Sequence, residues 1–84
     1  MKLVLHKIVK SEIDYGILDM RTGDGTKSLF KNLPERFSIN LRGRLIPNRK
    51  IQTRKVWVGF KLMENFQPNE IVELYEDENI IYME

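Results

Sequence analysis

Residues 36–63 read RFSINLRGRLIPNRKIQTRKVWVGFKLM, and the whole chain is best read outward from them. They carry eight positive side chains (Arg36, Arg42, Arg44, Arg49, Lys50, Arg54, Lys55 and Lys61), no Asp or Glu, and the single tryptophan, Trp57. From Phe37 to Leu45 the residues alternate. Phe37, Ile39, Leu41 and Leu45 fall on one side, and Ser38, Asn40, Arg42 and Arg44 on the other. A period of two predicts a strand with one face buried and the other wet, here basic. Pro47-Asn48 supplies turn chemistry, because proline fixes φ and asparagine tolerates the left-handed region. The return strand then places Val56, Val58, Phe60 and Leu62 inward and Lys55, Trp57, Gly59 and Lys61 outward.

An indole between lysines on a basic sheet suits nucleic acid, since cations meet phosphates while the ring offers a stacking surface. The competing reading puts Trp57 under a helix or a partner chain, with the lysine stems laid over its rim. Gly59 beside it is a residue type that marks bulges, and a bulge would change the local facing.

Downstream, residues 64–84 hold seven acidic groups and no basic one. Pro68-Asn69 signals a turn. Glu70 to Glu76 predicts a strand with Val72 and Leu74 on one side and Ile71, Glu73 and Tyr75 on the other. Asp77-Glu78-Asn79 is a tight acidic turn, and Ile80 to Met83 returns as a last strand, apolar on both faces and in need of cover. The charge segregation has two readings. Basic and acidic faces point apart, or acidic strand lies beside basic strand and cross-strand pairs cancel the field.

Upstream, residues 2–10 predict a strand that is also apolar on both faces, as in a central or partner-covered strand. His6, the only histidine, shares a side with Val4 and Ile8 and reads as a structural group. Ser11-Glu12 is expected to turn the chain into a second strand from Ile13 to Met20, giving an opening hairpin. Gly25-Thr26-Lys27-Ser28 imitates part of a phosphate-binding loop, but Thr26 and Arg21 stand where that motif needs glycine. Gly23-Asp24-Gly25 reads as a flexible loop. Ser28 is expected to cap one or two helical turns ending at Leu33 before Pro34.

The 84 residues predict one domain, 1–84, burying about 60–65 % of its unfolded surface. Without cysteine there is no disulfide and no zinc–thiolate site. Nucleophilic catalysis needs a base beside its nucleophile, and one histidine is thin provision, so no enzyme is expected. Glu73 with Glu76 and Asp77 with Glu78 read as solvated charge. Asp19 and Asp24 lack the spacing of a calcium loop, so no metal and no cofactor is expected. No apolar run reaches membrane length, and the early charges do not suit a signal peptide. A cytoplasmic protein without membrane contact is the expectation.

Gly43-Arg44-Leu45-Ile46-Pro47, with Leu62 to Tyr75 (LMENFQPNEIVELY), resembles the AbrB-like swapped-hairpin transition-state regulators and the related pseudobarrel DNA-binding domains. The shared features are a Gly-Arg-aliphatic-Pro strand end and a Pro turn leading into a Val-Glu-Leu strand. Asn69-Glu70 stands where that family has Gly-Asp. The resemblance implies transcription regulation by DNA binding through Arg42, Arg44, Arg49 and Arg54, and for the AbrB type a homodimer.

Together these features predict an all-β, barrel-like or pseudobarrel domain of five to seven strands with one short helical segment. Its expected function is binding nucleic acid, DNA before RNA, through Arg36, Arg42, Arg44, Arg49, Lys50, Arg54, Lys55, Trp57 and Lys61. The alternative is a protein-interaction module or non-catalytic subunit whose basic surface meets an acidic protein. Strands apolar on both faces in so short a chain also favour a homodimer.

Overall fold

The computed structural model describes residues 3–21, 23 and 25–84. In chain order they form β1 (Val4–Lys7), α1 (Lys10–Tyr15), β2 (Ile17–Asp19), α2 (Thr26–Leu29), β3 (Phe37–Leu41) and β4 (Arg44–Arg49). There follow β5 (Ile51–Gln52), β6 (Lys55–Trp57), α3 (Phe60–Met63), β7 (Ile71–Asp77) and β8 (Ile80–Met83). One sheet has the order β1-β7-β8-β3-β4 and the other β2-β6-β5. Eight strands and three short helices therefore replace the expected five to seven strands and one helix. Among the described residues each sheet keeps two open edges, so no barrel closes.

Two-residue turns build the hairpins. Arg42 (φ 48°) and Gly43 (φ 93°) join β3 to β4, Thr53 (φ 53°) and Arg54 (φ 65°) join β5 to β6, and Glu78 (φ 49°) and Asn79 (φ 65°) join β7 to β8. Two successive positive φ values give the turn whose twist matches a hairpin. The first turn corrects the expected one at Pro47-Asn48. Those two residues lie inside β4, where they oppose Ser38 alone, and the register shifts between Phe37 and Ile39. β4 is an edge strand, so proline's missing N–H costs no ladder bond. Turning at Arg42-Gly43 also moves Leu45 opposite Asn40, where it is exposed, and leaves Ile46 buried opposite Ile39.

The expected opening hairpin is a helix instead. Glu12, the third residue of α1, reaches back to accept from the Val9 N–H at 3.0 Å, which is the carboxylate half of a capping box. Gly16 ends α1 at φ 67°, with its N–H on the Glu12 and Ile13 carbonyls. A Cβ there would stand 2.8 Å from the Phe60 nitrogen and 2.9 Å from the Gly59 carbonyl carbon. Gly16 thereby lets α1 and the start of α3 touch.

The acidic hairpin forms as expected, with Val72 and Leu74 buried. Cover for β8 comes from β3, which pairs with it in parallel, Ile39 opposite Ile81 and Leu41 opposite Met83. Among the described residues β1 is not central but an edge strand, paired with β7 alone. Val4, His6 and Ile8 point into the core while Leu3 and Leu5 stay exposed. Core residues from both sheets, among them Ile39, Val72, Leu74 and Ile81 from one and Leu18 and Val56 from the other, meet in one buried cluster with Leu29, Phe30 and Met63. No helix is long and apolar enough to cross a membrane among the described residues.

Candidate nucleic-acid interface

β6 is a strand of only three residues, and its alternation sets the site. Val56 is buried and Trp57, the next residue, faces out and is 52 % exposed. Ile17 of β2 lies opposite Trp57 and holds its backbone in the small sheet. The inward half of the expected return strand ends early, because Gly59 (φ 134°) turns the chain into α3 and leaves Phe60 exposed.

Arg49 packs on Trp57 from the end of β4. Its guanidinium carbon sits 5.1 Å from the indole centroid, within cation–π range. Nη1 donates to the Trp57 carbonyl at 3.2 Å and Nε to the Pro47 carbonyl at 3.1 Å, so the β4 bulge aims this side chain. Around the pair runs a groove of about 180 Å³ lined by Arg36, Asn48, Arg49, Lys50, Gln52 and Trp57. Three cations, two amide side chains and one aromatic ring line it, with no carboxylate among the described residues.

The nine expected site residues do not all line one hollow. Arg36, Arg49, Lys50 and Trp57 share the groove. Arg42 and Arg44 belong to a separate hollow of about 400 Å³ with Leu41, Leu62, Asn65 and Phe66. Arg54, Lys55 and Lys61 are exposed and line neither. Arg42 is a structural tie. Its Nη2 donates to Glu70 Oε2 at 2.7 Å, its Nε to the Glu84 carbonyl at 3.2 Å, and its guanidinium lies 4.7 Å over the Phe66 ring. The Gln67 amide and then Arg42 hold the Glu70 carboxyl below its ordinary pKa. Asn48 and Gln52 escaped sequence reasoning because neither carries charge; their only signal was position beside Arg49 and Ile51.

Of the eight cations in residues 36–63, only Arg42 makes an ion pair among the described residues. Sheet order explains this. Acidic β7 lies between β1 and β8, with β8 and β3 separating it from basic β4. In the larger sheet β4 therefore has no acidic cross-strand neighbour, and in the smaller one Asp19 lies opposite Lys55 without an ion pair among the described residues.

His6 has a structural setting. It is buried, its Nδ1 lies 2.8 Å from the Thr26 hydroxyl, and its Nε2 is 2.7 Å from Glu12 Oε2. A carboxylate only accepts, so Nε2 carries the hydrogen. Glu12 is also buried and accepts from the Asp19 amide at 2.9 Å and from Arg21 Nη2 at 2.6 Å. Burial pushes the Glu12 carboxyl up, yet its bonds from His6 and from the Asp19 and Val9 amides outweigh that and hold it below the usual value. This network pins β1, α1, β2 and α2 together. No group of three His, Asp or Glu suited to a metal ion occurs among the described residues. The Asp19–Asp24 pairing considered from sequence lies partly outside those residues, since Asp24 is not described. Neither a protein-family model, nor a curated protein, nor a solved structure matches this chain.

Proposed function

We propose that this protein binds nucleic acid in the groove beside Trp57. One observation carries the reading: an exposed indole, steadied by Arg49, sits among Arg36 and Lys50, and none of the described residues lining the groove is a carboxylate. Phosphates meet the cations, and a base stacks on the exposed indole or on the guanidinium plane beside it. The preference for DNA and a role in transcription regulation rest on the resemblance to AbrB-like regulators. Arg44, Arg54, Lys55 and Lys61 would add long-range attraction.

Because Trp57 is the only tryptophan, its fluorescence reports on the groove directly. Added oligonucleotide should quench it, and Trp57→Ala should weaken binding by about 1–3 kcal/mol. With three phosphates neutralised, log K should fall with log salt at a slope of about −2 on single strands or −2.7 on duplex. An unquenched signal and no binding at low salt would remove the reading.

A second reading, a contact face for protein, is favoured by a different observation. Leu3, Leu5 and Ile71 are exposed on or beside the open edge strand β1. A second copy of this chain added edge to edge there would cover them. Light scattering should then give twice the chain mass, and Leu5→Lys should return it to one.

A further inference from the structure

A second hollow lies across β5 from the Trp57 groove. It encloses about 610 Å³, and Met20, Phe30 and Ile51 give it an apolar floor while Lys27 and Lys31 stand on its rim. Among the described residues none that lines it is acidic, and neither lysine makes an ion pair. The two hollows are neighbours by strand geometry. Lys50 and Gln52 line the Trp57 groove, whereas Ile51 between them lines the other. Successive residues of a strand point to opposite sides. One two-residue strand therefore separates an aromatic, cationic groove from an apolar, cationic hollow.

Resting on the reading of the Trp57 groove given above, we infer that the ligand is single-stranded and crosses β5. One unpaired base meets Trp57 and a neighbouring base enters the hollow beside α2, its phosphate held by Lys27 and Lys31. The hollow's size lies within the range of ligand sites, and its floor is apolar with charge only at the rim. That suits a flat ring with an anionic tail. A base inside a duplex is stacked and paired, and reaches such a hollow only after extrusion, which costs a few kcal/mol. An unpaired base enters without that cost. DNA and RNA share this chemistry, and the 2′-hydroxyl separates them.

The test compares dT12, rU12 and a twelve-base-pair DNA duplex on the full chain, by fluorescence anisotropy of labelled strands. Single strands should bind more tightly than duplex by about 5- to 150-fold, the value of one stacked base. Adding dU12, which differs from rU12 only in lacking the 2′-hydroxyl, identifies the preferred sugar. Replacing both exposed lysines, Lys27→Ala with Lys31→Ala, should reduce the single-strand salt slope by about 0.7, the value of the one phosphate they hold, and leave the duplex slope unchanged. Circular dichroism confirms that the variant is folded. If its slope matches the parent chain while Trp57→Ala still weakens binding, the path across β5 is wrong and the Trp57 groove stands. A preference for duplex overturns the single-strand inference. Absence of binding by all of these nucleic acids overturns both.

Discussion

Replacing Glu12 by Ala removes the acceptor for four donors at once. His6 Nε2, Arg21 Nη2 and the amides of Val9 and Asp19 all point at its two oxygens, at 2.6–3.0 Å. The Glu12 carboxyl and His6 are fully buried, so water does not reach the His6 donor without a local opening, while Arg21 keeps part of its exposure. An unsatisfied buried donor costs about 1–3 kcal/mol, and removing one partner of a buried ion pair about 3–5 kcal/mol. The four losses share one site and do not add, so Glu12→Ala should lose about 3–5 kcal/mol. That is a large part of the 5–15 kcal/mol typical of small domains. The assay is urea unfolding followed by circular dichroism, with the midpoint read against an unchanged slope. Acid sharpens the test. The folded carboxyl titrates below its ordinary value of 4.5, so the unfolded chain binds more protons between the two values. Stability from this group is present above about pH 4.5 and is lost as pH falls through the folded value. Glu12→Gln should flatten that acid limb as well as lower stability. A Glu12→Ala variant within about 1 kcal/mol of the parent chain, with the same acid limb, would refute the account of the network.

Arg42→Ala should lower stability by about 0–1 kcal/mol, since its bond to Glu70 is partly exposed, and should leave oligonucleotide affinity near the parent value. A tenfold loss of affinity in titration would return Arg42 to the binding surface. Gly16→Ala should destabilise by more than about 1 kcal/mol, because φ 67° is unfavourable for alanine and its Cβ would meet the Phe60 backbone. Thermal melting should show a smaller loss for Gly43→Ala, whose Cβ would meet open space. Arg49→Ala should free Trp57 from its cation, shift the emission of the unbound protein and weaken oligonucleotide binding together.

What was legible in the sequence follows the range of the interactions that set it. Val72 and Leu74, with Asp77-Glu78-Asn79 after them, settle the last hairpin through neighbours a few residues apart. His6 was read as a structural group from its place in an apolar strand, and it is buried. Trp57 faces outward, the side its alternation with Val56 and Val58 favours, and not the covered position of the competing reading. α1 was missed for a different reason. Val9 has no side-chain oxygen to cap it, so the usual start signal is absent. Glu12 supplies the missing bond, but it is held in place by His6 and Arg21, six and nine residues away. The parallel pairing of β3 with β8 has no local signature, because 38 residues lie between Leu41 and Ile80.

The hairpin turns explain how the site itself was half legible. Pro47-Asn48 carries the stronger turn composition, yet Arg42-Gly43 makes the turn. Gly43 takes φ 93° readily, Asn40 Oδ1 accepts from its N–H at 2.9 Å, and Leu41 can then pair with Arg44. Displaced from the turn, Pro47 and Asn48 become a bulge on the outer strand, and that bulge matters chemically. Arg49 Nε donates to the Pro47 carbonyl, Asn48 lines the groove, and the Arg49 guanidinium reaches over Trp57. A regular β4 would lack the extra residue opposite Ser38, and Arg49 would meet a different partner in the register. The turn misread from composition is thus what brings Arg49 and Trp57 together. Their meeting joins a strand of the larger sheet to a strand of the smaller one, a placement that alternation within either strand could not supply.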